Sequence, residues 1–155
     1  MSDKNTAKED GEIELLSFGV AGQEYSVEIT SVREIRGWTQ ATPLPHSPPY
    51  VRGVINLRGT VLPIVDLAGR LGESTGPRSD RDVVIVVYHN GHTVGLLVDA
   101  VSDILSISQT EMQPPPEVAT DSLQGFIKSL IVVNGQMVRI LDLGVVLPEE
   151  AVEAA

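Results

Sequence analysis

Three histidines and two aspartates are this chain's main candidates for chemistry, and cysteine, the usual thiolate nucleophile and soft metal ligand, is absent. His89 and His92 flank Asn90-Gly91 and could face one metal ion, but no further ligand lies nearby in the sequence; His46 stands alone in a Pro-rich passage. Turn and strand positions are the simpler role for all three. Asp66 and Asp142 could be read as a carboxylate pair for acid–base work. Both, however, are followed by Leu at the same place in two similar segments, which argues for a repeated helix cap. The glycines from Gly69 to Gly76 lack the Gly-Lys-Ser/Thr ending of a phosphate-binding loop, and neither Gly-x-Ser-x-Gly nor Gly-x-Gly-x-x-Gly after a strand occurs. The reading is of no enzyme, no metal and no cofactor.

The elements that carry these residues are short apolar runs rich in Val and Ile and punctuated by Gly, Pro and Asn, the vocabulary of strands. Leu15 to Val20 precedes Ala21-Gly22 and returns as Tyr25 to Ile29. Val83 to Tyr88 precedes a turn at Asn90-Gly91 and returns as Val94 to Val98. Asn-Gly between apolar runs is a strong hairpin signal.

The chain is also written twice. Tyr50 to Leu71 lies over Phe126 to Leu147 without a gap, matching Ile55, Gly59, Ile64, Asp66, Leu67 and Leu71 to Ile131, Gly135, Ile140, Asp142, Leu143 and Leu147. Upstream, Gly22 to Ile35 lies over Gly91 to Ile104. Each copy (about 13–71 and 82–147) then holds roughly five short strands and one or two helical turns, the content of an SH3-like barrel. A cysteine-free unit of about 60 residues is marginal alone. The two barrels are therefore expected to share a core or exchange elements. Asp66 and Asp142 are expected to cap single helical turns ending at Leu71 and Leu147, and residues 1–12 and 148–155 to be mobile tails.

The formal charge is −10, aromatics are 4% of residues and the bases are scattered. Such a field repels polyphosphate, which disfavours nucleic acid and anionic membrane as partners. The opening residues lack the apolar core of a signal peptide, and no apolar run reaches the roughly 18 residues of a membrane span, so a soluble intracellular protein is expected.

The places where the copies differ are the most useful. Asn134 is a natural turn residue, whereas its counterpart Arg58 would cost on the order of 1 kcal/mol at positive φ. A long charged side chain at an exposed tip gives little to a core, so Arg58 is either a solvated arginine or a binding residue. Ile29, Val32 and Ile35 are spaced by three and would share a face if Ile29 to Ile35 formed a helical turn; ordinary core packing is the alternative. Glu34 and Arg36 would rim that face.

The string Gly53-Val-Ile-Asn-Leu-Arg-Gly-Thr-Val-Leu-Pro-Ile-Val-Asp-Leu67 resembles the signature segment of the CheW family of chemotaxis coupling proteins. Glu34-Ile-Arg-Gly37 upstream and Val94 to Ile104 downstream resemble it too, so that the similarity spans about residues 13 to 147. The resemblance implies a mainly β fold of two intertwined five-stranded SH3-like barrels. It implies a cytoplasmic, non-catalytic scaffold associated with membrane receptor arrays, coupling the cytoplasmic tips of chemoreceptors to the regulatory domain of the histidine kinase CheA. It places a receptor-facing groove between the barrels at Leu16, Ile29, Val32, Ile35 and Val101, with Glu34 and Arg58 as polar participants, and a kinase-facing surface around Gly53, Val54 and Gly59. It gives no role to the Pro-rich stretch Gln113 to Glu117. A coupling protein of a chemosensory pathway unrelated to swimming is the alternative, and a small-barrel nucleic-acid binder a more distant one.

Overall fold

The computed structural model describes residues 11–72, 81–115 and 125–147. Residues 1–10 and 148–155, most of the two expected tails, lie outside these, as do Pro116 and Glu117. Gly11 and Glu12 belong to the fold, with Glu12 opening the first strand.

Among the described residues, ten strands form two five-stranded sheets. The first copy supplies β1 (Glu12–Val20), β2 (Gln23–Glu28), β3 (Val32–Gly37), β4 (Val51–Leu57) and β5 (Thr60–Asp66), followed by the single-turn helix α1 (Leu67–Arg70). The second supplies β6 (Val83–His89), β7 (His92–Val98), β8 (Ala100–Ser108), β9 (Ile127–Val133) and β10 (Gln136–Leu141), followed by α2 (Leu143–Val146). Four hairpins close through two-residue turns at Ala21-Gly22, Arg58-Gly59, Asn90-Gly91 and Asn134-Gly135, with both turn residues at positive φ. That is the type I′ geometry, whose twist matches that of the strands it joins.

One sheet runs β8-β1-β2-β10-β9 and the other β3-β6-β7-β5-β4. Numbered within each copy, both orders read third, first, second, fifth, fourth, with the first two strands always taken from the other copy. The barrels are therefore intertwined: the β1–β2 hairpin sits between β8 and β10, and the β6–β7 hairpin between β3 and β5. The joints with β10 and β5 are the parallel pairs β2–β10 and β7–β5. Each order is closed by a short extension after its edge strand. Thr42 exchanges two backbone hydrogen bonds of 2.8 Å with Val54 on β4, and Gln113 exchanges bonds of 2.8 and 2.7 Å with Leu130 on β9.

Side chains sort into three cores. Leu15, Ile107, Ile131, Val138 and Ile140 fill one barrel, and Leu62, Ile64, Val84, Val86 and Leu97 fill the other. The largest cluster, 19 buried residues, lies between them and includes Phe18, Tyr25, Ile85 and Leu96. Along β6 the residues alternate, Val84 and Val86 pointing into their barrel and Ile85 and Val87 into the shared core. Both faces are dry, which is why Val83 to Val87 reads as an unbroken apolar run and not as an apolar–polar alternation.

The two helical turns begin as their spacing predicts. Asp66 Oδ1 accepts from Gly69 N at 3.5 Å and Asp142 Oδ1 from Gly144 N at 3.0 Å. Asp66 is also fully buried, and its Oδ2 accepts from Arg52 Nε and Nη2 at 3.0 and 2.8 Å. In the second copy Lys128 stands where Arg52 would be and pairs instead with Glu28, at 3.2 Å.

Gly53 is fixed by barrel closure. Its φ is +139°, and a Cβ there would run into the carbonyl of Thr42, the group that bonds Val54. Gly53→Ala is therefore expected to lower stability by about 2–4 kcal/mol, read as a fall in the urea midpoint. Asp66→Ala strips a cap and strands the half-buried Arg52, and should cost about 2–3 kcal/mol. Asp142→Ala removes a cap alone, about 1 kcal/mol. The ratio of the two losses in urea unfolding checks the assignment.

Candidate docking faces

Ile29, Val32 and Ile35 do not form a helical turn, yet Val32 and Ile35 share a face. Ile29 to Ser31 form a short 3-10 turn and Val32 to Gly37 form β3. In a regular strand, residues three apart point to opposite faces. Here β3 pairs with β6 as Val32↔Val87, Glu34↔Val86 and Ile35↔Ile85, so Arg33 is an extra residue in a β-bulge. The bulge restores parity: Val32 and Ile35 both lie on the face of Val87 and Ile85. Ile29 and Val32 pack onto the shared core, while Ile35 is 47% exposed.

The second copy repeats this device. β8 pairs with β1 as Phe18↔Val101, Ser17↔Asp103 and Leu16↔Ile104, with Ser102 as the extra residue at the position equivalent to Arg33. Val101 packs onto the shared core, as Ile29 and Val32 do. Leu16 is buried in the same core and pairs across strands with Ile104. Ile104, 56% exposed, is the counterpart of Ile35 and was missed by sequence reasoning. The alignment of Gly22–Ile35 with Gly91–Ile104 carried the signal, since its last matched pair is Ile35 and Ile104.

The polar residues named from sequence meet. Arg58 Nη2, at the tip of the β4–β5 hairpin, donates to Glu34 Oε2 on β3 at 2.9 Å, with the arginine side chain 70% exposed. Arg58 has φ +52°, the left-handed conformation that Asn134 adopts in the other copy. The equivalent of Glu34 is Asp103, which turns back to accept from the Ile104 backbone N at 2.8 Å. The ion pair thus belongs to one barrel, although the bulged apolar strands are duplicated.

Gly53, Val54 and Gly59 all lie on the β4–β5 hairpin. Gly53 is buried and acts through the backbone, Val54 is half-buried against the Thr42 extension, and Gly59 is exposed at the tip, where its N donates to Asn56 Oδ1 at 2.9 Å. On the outer face of the same hairpin Val61 is exposed. Its equivalent Met137 pairs across strands with exposed Val132 on β9–β10.

Other chemistry finds little footing. His89 and His92 are a cross-strand pair beside their turn. Among the described residues no group of three His, Asp or Glu side chains could hold a metal ion, and no helix is long and apolar enough to cross a membrane. Asp66 and Asp142 sit in separate barrels, each engaged as a cap. What the surface does offer is apolar walls with a charged rim, the anatomy of a protein interface.

Residues 14–151 match the family model of the CheW-like domain. The chain is 50% identical over 153 residues to a chemotaxis protein CheW of Rhizobium meliloti, covering 97% of this chain and 99% of that one. It is 48% identical over 145 residues to a probable chemotaxis protein CheW of Rhizobium etli, covering 94% of each. Among solved structures, the scaffolding protein TtCheW of Thermoanaerobacter tengcongensis superposes with a TM-score of 0.79 at 31% identity, over 84% of this chain and 89% of that one. By matched sequence, exchanged hairpins and shared architecture alike, this chain belongs to the CheW family.

Proposed function

We propose that this protein couples chemoreceptors to the histidine kinase CheA by docking each on a different face of one scaffold. The protein is a chemotaxis coupling scaffold by family. The finer reading is that the cytoplasmic tip of a receptor enters the seam walled by Ile29, Val32, Ile35 and Val101, with Leu16 in the shared core. The observation that carries this reading is the exposed Arg58–Glu34 pair, whose glutamate directly precedes Ile35 on β3. Arginine at φ +52° is locally unfavourable by about 1–2 kcal/mol, and an exposed ion pair returns about 0.2–1 kcal/mol. A residue that is a poor local choice at an exposed tip is best explained by a partner.

A receptor tip is a helical hairpin, and an amphipathic helix laid in an apolar groove is a standard mode of recognition. The β4–β5 hairpin bearing Gly53, Val54 and Gly59 is assigned to the kinase regulatory domain, with Gly53 shaping the surface and Val54 and Gly59 presenting it. The protein turns over no substrate and uses no cofactor. It resides in the cytoplasm, held at receptor arrays by its partners and not by insertion. Receptor signals pass as changes in how the two partners sit on the scaffold.

Two substitutions at one position separate binding from folding. Arg58→Glu places like charges opposite each other and is expected to weaken binding of a soluble receptor-tip fragment at least about tenfold, with the circular dichroism spectrum and melting temperature nearly unchanged. Arg58→Asn installs the residue of the other copy, and should hold or raise stability by up to about 1 kcal/mol while still losing affinity. Backbone NMR titration with the receptor fragment and, separately, the kinase regulatory domain reads both. Unaltered receptor affinity in both variants would remove Arg58 from the interface.

A further inference from the structure

Arg70, the last residue of α1, joins the two copies at a point where they are otherwise related by pseudo-symmetry. Its Nε donates to the carbonyl of Val146 and its Nη2 to that of Val145, both at 2.8 Å. Its guanidinium lies over the rings of Tyr50 and Phe126, 4.6 and 5.0 Å from their centroids. Tyr50 and Phe126 are equivalent residues, and so are Arg70 and Val146. The arginine therefore bonds its own counterpart, which puts it at the pseudo-twofold axis. Two arginines could not both occupy that point without placing like charges in contact, so the copies had to diverge here. The acceptors are the free carbonyls at the end of α2, which otherwise lack intrahelical partners.

The position of this contact matters as much as its chemistry. In each sheet the exchanged hairpin has two sides. On one side, β3 beside β6 and β8 beside β1 carry the apolar walls described above. On the other, β5 beside β7 and β10 beside β2 lead into α1 and α2. The clamp and the walls thus follow from strands that border opposite edges of each exchanged hairpin. The bulk of that seam is apolar, and apolar contact is non-directional. A planar guanidinium with two directed bonds and two ring faces supplies the orientation that apolar packing does not.

We propose that Arg70 is a positioning residue that sets the angle between the barrels and thereby the width of the groove, an inference that rests on the receptor reading of that groove. Widening the groove pivots the barrels about the clamp, so that receptor occupancy and the setting of the kinase-facing hairpin are linked through it.

The test uses the full chain and three proteins: wild type, Arg70→Met, which keeps length and apolar bulk but no donor, and Arg70→Lys, which keeps charge and ring contact but not the two-bond fork. Residual dipolar couplings give the orientation of each sheet separately, a readout that loss of stability alone does not move. Arg70→Met should keep each barrel's internal couplings, rotate one barrel against the other, and weaken binding of a soluble receptor-tip fragment about fivefold; Arg70→Lys should fall between it and wild type. Wild-type orientation and wild-type affinity in Arg70→Met would overturn the proposal. If Arg70→Met does not fold, Arg70→Lys decides: an intermediate orientation supports the clamp, while a wild-type orientation, or failure of this variant to fold as well, overturns it. If wild type itself does not bind the fragment, the receptor reading fails, and the relative orientation of the sheets still tests the clamp.

Discussion

The hairpins β1–β2 and β6–β7 pack against each other through a core that neither copy could build alone, and the rest of the molecule is arranged around that contact. Each hairpin is buried on both faces: one face fills the barrel of the other copy, the opposite face fills the seam. The two small interior cores have five buried residues each, against nineteen in the seam. Units of this size bury too little apolar surface to be robust by themselves. Exchange of hairpins makes the barrels mutually dependent and turns two marginal cores into one continuous structure.

That constraint explains where the surface features fall. A strand next to an exchanged hairpin must run along the seam, so β3 and β8 present their side chains at its margin. The bulges at Arg33 and Ser102 then aim pairs of apolar residues at the same margin, Val32 with Ile35 and Val101 with Ile104. Duplication supplied both walls at once. Divergence supplied direction: Arg58 and Glu34 charge one barrel's rim, while Asn134 and Asp103 serve local backbone needs in the other. A scaffold that must hold unlike partners benefits from two related surfaces that are no longer identical. The pair of half-buried Arg52 with Asp66 and the contact of Arg70 with α2 are further points where one copy carries an arginine that the other lacks.

Much of the candidate site was legible before the structure, with unequal reasons behind the parts. Arg58 stood out because turn chemistry is local: Asn134 showed what the position prefers, and the φ of +52° shows the same conformation imposed on the arginine. Its meeting with Glu34 was not legible, because the two are 24 residues apart and joined only by barrel closure. Ile29, Val32 and Ile35 were grouped by a helical period that does not occur; a bulge gives two of them the same face. Leu16, which the family resemblance places in the groove, is buried in the shared core. Ile104 went unnamed although its equivalence to Ile35 was already in the alignment.

What the sequence determined by itself was everything governed by neighbours along the chain: the strand vocabulary, the two-residue turns, the aspartate caps at Asp66 and Asp142, the duplication, and a net charge of −10 that disfavours polyphosphate partners. What only the tertiary structure decided was which copy completes which barrel, which apolar residues stay exposed, and which side chain stands at the pseudo-axis. The physical reason is that hydrogen-bonded turns and caps are satisfied within a few residues, whereas the pairing of β2 with β10 and β7 with β5 depends on packing between segments remote in sequence. Arg70 marks that divide: nothing in its local sequence sets it apart from a solvated helix-end arginine, and only the fold brings Tyr50, Phe126 and the end of α2 around it.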